Sequence, residues 1–144
     1  MLILRNNLLW IVLLAGVLMG SCKKETRCDT PIGEVSCTVD LTLPMYYPLT
    51  AIGGYCNLYG GHKGISVIRV SLNEFAAYER TCPNDHEGQV DTVAGSGGML
   101  LECPECGCQF STYTDGSPME GSQTSCSLYK YSTYYDGYTL SIMP

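Results

Sequence analysis

Apolar and polar residues alternate over short stretches through most of this 144-residue chain, and Gly-Gly pairs separate the stretches. In the segment GISVIRVS, Ile65 and Val67 fall on one side of an extended chain, and Ile68 and Val70 fall on the other. Short alternating segments with glycine between them are typical of strands and turns. The pattern therefore predicts an all-β domain in which GISVIRVS is a strand covered on both faces.

The last segment, SLYKYSTYYDGYTLSI, predicts a β-hairpin around Asp136-Gly137. This dipeptide favours a two-residue type I′ turn, because both central residues of that turn need a positive φ. The predicted cross-strand partners are Tyr135 with Tyr138, Thr133 with Leu140, and Tyr131 with Ile142. These six residues form one face of the hairpin, and lysine, serine and threonine form the other.

The first 22 residues are interpreted as an export signal and not as part of the fold. Arg5 precedes an apolar run from Leu8 to Met19, and small residues and Cys22 follow. The ending LMGSC resembles the lipobox of bacterial lipoproteins, in which the signal is cut before a cysteine that carries diacylglycerol. The resemblance implies lipidation of Cys22 and an anchor in a membrane of the cell envelope, facing the periplasm or the cell surface. An ordinary secretory signal is the alternative.

Three regions follow from this interpretation: a lipoprotein signal peptide at 1–21, a lipidated tether with an edge strand at 22–45, and a single β domain at 46–144. Without Arg5, the chain carries seven basic and 14 acidic residues, a net charge of about −7. The basic residues are scattered, so no surface is expected to collect phosphates. The composition therefore excludes nucleic acid as a partner and leaves the lipid membrane.

Nine cysteines are present, and eight remain when Cys22 is set aside. In an oxidising compartment, an even number of cysteines first suggests disulfides. Four of the eight have no ligand-like context and are expected to form structural disulfides, with three pairings open: Cys28, Cys37, Cys56 and Cys126. The other four lie in two loops, RTCPNDHEG and LECPECGCQFS, and the first cysteine of each loop is followed by proline.

The order of features after residue 48 resembles the Rieske iron–sulfur domain. Two cysteine loops are followed by a glycine, an aromatic strand, the segment DGSPMEG and a final hairpin. The resemblance covers roughly residues 48–142. It implies a small antiparallel β-sandwich with the two cysteine loops at its tip. It also implies a [2Fe–2S] cluster that exchanges electrons with a redox protein partner.

The ligands implied by this resemblance are assigned by position in the two loops. Cys82 and Cys103 match the two cysteine ligands of the family. At the family's two histidine positions this chain has Asn84 and Cys106, so Cys106 becomes the third ligand. A thiolate in place of an imidazole adds negative charge, which is expected to lower the reduction potential.

The fourth ligand is expected to be His86 or Cys108, and His86 is favoured because Cys108 lies further along, toward the following strand. The same sulfur-rich set also suits a structural zinc ion, since zinc and iron–sulfur centres use similar donors. A cluster-free alternative joins Cys82 to Cys103 or Cys106 by a disulfide. The protein would then be an envelope lipoprotein that acts as a binding or structural module.

No motif of a hydrolase or a transferase is present in the sequence. Cys103 and Cys106 have the spacing of a thiol–disulfide exchange pair, but Glu102 and Glu105 are expected to raise their pKa and argue against that role. We therefore expect no catalytic residue in this chain. Enzymatic activity is expected at most as the electron-transfer component of an oxidoreductase.

Overall fold

The computed structural model describes residues 28–144. Strands make up 35% of these residues and helices 9%, so the predicted all-β class is confirmed. The helices are two short 3₁₀ segments, Pro44–Thr50 and Thr112–Thr114. Among the described residues, no helix has the length and apolar character needed to cross a bilayer. The predicted signal peptide and the predicted lipidation at Cys22 lie outside the described residues.

Within the described residues, ten strands form two antiparallel sheets. The larger sheet contains β1 (Cys37–Asp40), β2 (Tyr55–Leu58), β3 (Ile65–Arg69), β4 (Phe75–Glu79), β9 (Lys130–Tyr135) and β10 (Thr139–Met143). The smaller sheet contains β5 (Asp91–Thr92), β6 (Leu100–Glu102), β7 (Gln109–Ser111) and β8 (Ser117–Pro118). The larger sheet has the order β1-β10-β9-β4-β3-β2 and curls into a half-barrel, and the smaller has the order β5-β6-β7-β8. The edge strand predicted near residue 40 is therefore β1.

Strands β3 and β4 are buried on both faces and separate two hydrophobic cores. The core inside the curled sheet includes Ile65, Val67, Ala77, Leu140 and Ile142. The core on the other face, shared with the smaller sheet, includes Ile68, Tyr78, Leu101, Phe110 and the cysteines of both loops. The alternation of GISVIRVS thus places Ile65 and Val67 in one core and Ile68 in the other, as the sequence predicts. Val70 follows the end of β3 and is exposed, so the predicted cover does not extend to it. The second core reaches the cysteine loops.

The last hairpin forms, but its predicted register is wrong by two residues. The observed partners are Tyr135 with Leu140, Tyr134 with Ser141, and Thr133 with Ile142. Gly137 and Tyr138 form the loop, and only the glycine has a positive φ, of 108°. The Asp136 carboxylate accepts hydrogen bonds from the N–H groups of Tyr138 (2.9 Å) and Thr139 (2.7 Å), so the aspartate precedes the turn. A two-residue shift preserves the faces, and the predicted apolar face is buried or half-buried apart from the exposed Tyr138 in the turn.

The predicted structural disulfides form in part. Cys28 and Cys126 are bonded, with an S–S distance of 2.08 Å. Cys37 on β1 and Cys56 on β2 are unpaired, so the expectation of a second bond among these four cysteines is wrong. The reason lies in the topology, because β1 and β2 occupy opposite ends of the strand order in the larger sheet.

Glu79, the last residue of β4, is fully buried and joins three parts of the fold. Its carboxylate accepts hydrogen bonds from the N–H groups of His62 (2.8 Å) and Lys63 (2.9 Å) in the turn before β3. It also accepts bonds from the N–H and the hydroxyl of Thr81, at 3.0 and 2.8 Å, and from the hydroxyl of Tyr131, at 2.7 Å. These five bonds satisfy a buried charge, and they fix the start of the first cysteine loop.

Candidate metal centre

Two loops meet where the smaller sheet packs on the larger one. The first loop follows β4 and contains Cys82, whose side chain is fully buried. The second loop joins β6 to β7 and contains Cys103 and Cys108, which are fully buried, and Cys106, which is half-buried. Residues distant in sequence are thereby brought together, as the sequence predicts for the two cysteine loops.

Three thiols and one carboxylate form a compact group at the meeting of these loops. One donor atom from each of Cys82, Asp85, Cys103 and Cys106 lies within 4.8 Å of the others. The Sγ atoms of Cys82 and Cys106 are 3.6 Å apart. Sulfur ligands about 2.3 Å from a tetrahedral zinc ion are about 3.8 Å from one another. The group can therefore hold one tetrahedral metal ion.

The two loops contain the same turn. His86 N–H donates to the carbonyl of Cys82 (2.9 Å), and Gly107 N–H donates to the carbonyl of Cys103 (2.8 Å). His86 and Gly107 both have a left-handed backbone, with φ of 59° and 71°. Each turn thus contains, in order, a cysteine, a proline, a variable residue, a residue that can bind a metal, and a residue with a left-handed backbone. The donor at the fourth place is Asp85 in the first loop and Cys106 in the second.

Backbone amides also face the sulfur atoms in the same way in both turns. The Sγ of Cys82 accepts hydrogen bonds from the N–H groups two and three residues later, those of Asn84 and Asp85. The Sγ of Cys103 accepts the equivalent bonds from Glu105 and Cys106. Amide donors of this kind stabilise thiolates, which are the form that binds metals. Both turns thus supply amides that would stabilise a metal-bound thiolate.

Burial and the amides act in opposite directions on the thiol pKa values. Burial raises the pKa of Cys82 and of Cys103. Burial also acts to raise the pKa of Cys106, but the N–H of Cys108 and the neighbouring thiols outweigh it and lower that pKa. The expectation of raised pKa values for this pair therefore holds for Cys103, where burial is the cause, and is wrong for Cys106. Metal binding to the protonated thiols would release protons, so acid weakens it.

The structure brings together three of the four ligands favoured from sequence. Cys82, Cys103 and Cys106 belong to the compact group, whereas His86 does not. The left-handed residue after the donor position is His86, which is half-buried. Cys108 is buried beside Cys106 and is also outside the group of four. His62 is exposed, and its Nδ1 lies 3.0 Å from the Thr81 hydroxyl.

Asp85 is the site residue that sequence reasoning missed. A signal for it exists in the chain, because superposing Cys82-Pro83 on Cys103-Pro104 places Asp85 opposite Cys106. The family resemblance directed attention to histidine positions and so to His86. An internal comparison of the two loops would have identified the carboxylate.

A cleft of about 1030 Å³ lies elsewhere, between the larger sheet and the loops around Gly97 and Tyr113. Its cations are already engaged. The guanidinium of Arg69 donates to backbone carbonyls and lies over the rings of Phe75 and Tyr135. Lys130 is paired with an aspartate at 2.6 Å. The cysteine group, by contrast, brings three thiols and a carboxylate together within residues 28–144.

Comparisons with known protein families, with curated proteins and with solved structures find no match to this chain. The likeness to Rieske domains remains a hypothesis from the order of sequence features.

Proposed function

We propose that this chain is an exported, lipid-anchored β domain that binds one structural Zn²⁺ ion between its two cysteine loops. The observation that carries the proposal is the compactness of the group, with four donor atoms within 4.8 Å of one another. Sulfur-rich sets of four donors are typical of structural zinc sites. In this role the ion fixes the tip of the domain, and the protein acts as a binding or structural module of the envelope.

A [2Fe–2S] electron carrier with a redox protein partner is the second candidate, and the Rieske-like order of features supports it. In such a cluster the four ligands are divided between two irons, so donors on different irons are separated by the width of the cluster. The compact group fits one ion better. The three thiolates nevertheless suit iron as well as zinc, and the metal content decides between the candidates.

The envelope location and the membrane partner are supported by the LMGSC ending, with Cys22 as the lipidated residue. The disulfide between Cys28 and Cys126 also supports export, since structural disulfides persist in oxidising compartments. Metabolic labelling with a radioactive fatty acid tests this part. We expect label on the wild-type protein and none on the Cys22→Ser variant.

The metal is tested on protein exported with its own signal and purified without chelator. We expect about one equivalent of zinc, no visible absorption, and six titratable thiols besides Cys22 after denaturation and chelation. Iron with visible absorption that is bleached by reduction would establish the second candidate instead. Absence of metal together with a disulfide at Cys82 would establish the cluster-free alternative.

A matched pair of variants locates the ion. Cys82→Ser removes a thiol of the group and should abolish stoichiometric zinc. Cys56→Ser removes a thiol on β2, outside the group, and should leave the zinc content unchanged. Equal zinc in both variants would contradict the proposed site.

A further inference from the structure

The Asp85 carboxylate is held in place by its own loop. Its Oδ1 accepts hydrogen bonds from the N–H groups of Glu87 (2.9 Å) and Gly88 (2.8 Å). Its Oδ2 lies 3.8 Å from the Sγ of Cys103, on the side of the thiols. One oxygen is therefore used to orient the side chain, and the other faces the position of an ion. Such anchoring of a ligand is typical of metal sites.

The two oxygens have different roles, which sets how this carboxylate can bind. With Oδ1 bound to two amides, Asp85 presents a single oxygen to an ion. It thereby occupies the place that the thiol of Cys106 occupies in the second turn. The site offers three sulfur donors and one oxygen donor in fixed positions, whereas two identical turns would have offered four sulfurs.

We infer that Asp85 is the fourth ligand and shifts the metal preference of the site toward Zn²⁺ and away from the softer Cd²⁺, compared with a site of four sulfurs. This inference rests on the proposed function, because it requires that the group binds a metal. Sulfur donors favour soft ions and oxygen donors favour harder ones, so one oxygen among four donors shifts the preference toward zinc. Because hydrogen bonds to Oδ1 hold the side chain in place, Oδ2 can bind the ion without a rearrangement of the loop.

The test compares Zn²⁺ and Cd²⁺ affinities of the full exported chain and three variants, by competition with a chromophoric chelator. Asp85→Cys completes a set of four sulfurs and should raise the preference for Cd²⁺ over Zn²⁺ by on the order of tenfold or more. Asp85→Asn removes the anionic oxygen and should weaken Zn²⁺ binding by on the order of tenfold or more. Glu120→Gln is the control, since its exposed side chain is outside the group and away from both cysteine loops in sequence, and it should match the wild type.

A second measurement needs no variant at Asp85. X-ray absorption of the zinc-loaded wild type should show three sulfurs at about 2.3 Å and one oxygen at about 2.0–2.2 Å, without the outer-shell scattering of an imidazole. Four sulfurs, as expected if Cys108 were the ligand, or an imidazole from His86, would overturn the inference. So would Asp85 variants that match Glu120→Gln in both affinities. A wild type that binds no Zn²⁺ would instead overturn the proposed function, and this inference with it.

Discussion

Gly88 is a residue at which the two cysteine loops touch. A Cβ added there would lie 2.2 Å from the Sγ of Cys103, which is shorter than the contact distance between non-bonded heavy atoms. The φ of Gly88 is not in the left-handed region, so backbone strain does not explain the glycine. The sulfur of the opposite loop occupies the space instead. Glycine is thus required at this position by the approach of the loops.

We expect Gly88→Ala to displace Cys103, to lower the zinc content and to destabilise the domain by about 1–3 kcal/mol, as overpacking does. Zinc analysis and urea unfolding measure the two effects. Gly95→Ala is the control, because nothing lies within 4 Å of an added Cβ there. Its φ of +81° makes an alanine costly by about 1 kcal/mol, but the zinc content should not change. Full zinc binding by Gly88→Ala would contradict the arrangement of the loops.

The sequence identifies the three cysteines of the site because their chemistry is specific and their spacing is tight. Asp85 was missed because a single carboxylate in a polar loop looks like any solvated side chain. Its role depends on two amides and three thiols that only the fold brings together. His86 was favoured for its chemistry, but its ring is not among the four donor atoms that lie within 4.8 Å of one another.

At the scale of elements, Glu79 connects β4 to the turn before β3 and to β9. Its pKa is lowered, because the hydrogen bonds from Tyr131, His62, Lys63 and Thr81 outweigh the effect of burial, which raises it. A carboxyl group with a lowered folded-state pKa contributes stability above its unfolded pKa. That contribution is lost as the pH falls through the folded-state pKa.

We expect Glu79→Gln to lower the free energy of unfolding at neutral pH by about 2 kcal/mol, because buried donors lose an acceptor. The difference from the wild type should shrink below about pH 4, where the wild-type carboxyl group begins to take up a proton. Urea unfolding across this range measures both effects. Glu120→Gln, at an exposed position, is the control and should keep the wild-type acid dependence. The same acid dependence in Glu79→Gln would contradict the role of Glu79.

The final hairpin shows how far an element can be predicted from sequence. The pattern of apolar positions predicted the two faces correctly, because the predicted and the observed registers differ by two residues. A shift of two residues leaves each side chain on the same face of the hairpin. The turn was placed one residue too early, since Asp-Gly was assigned to the two central positions. In the structure the aspartate caps the turn from outside, and the glycine and a tyrosine form its centre. Local propensity alone does not separate these two uses of Asp-Gly.

At the scale of the whole molecule, the Cys28–Cys126 disulfide joins residues 98 positions apart. The sequence predicted that both cysteines form structural bonds but left the pairing open, because pairing depends on how the sheets place the chain. The larger sheet separates β1 from β2, and Cys37 and Cys56 therefore remain as thiols. Topology of this kind is not encoded in the spacing of cysteines.

We expect the double variant Cys28→Ser/Cys126→Ser to lose up to about 4.7 kcal/mol of unfolding free energy, the chain-entropy value for a loop near 100 residues. Urea unfolding measures the loss. Wild-type protein in reductant should unfold like the double variant, and Cys37→Ser should unfold like the oxidised wild type. Equal unfolding midpoints for the double variant and the oxidised wild type would show that the disulfide does not contribute to the free energy of unfolding.

The meeting of the two cysteine turns also has a consequence for chain topology. A metal ion bound by both Cys82 and Cys103 would crosslink two residues that are 21 positions apart and so close a loop of the chain. This short loop lies within the longer loop that is closed by the Cys28–Cys126 disulfide. Removal of the metal opens the short loop and leaves the disulfide intact. Chelation should therefore loosen β5 to β8 locally, while the half-barrel stays folded. Metal loss and global unfolding would then be two separate transitions.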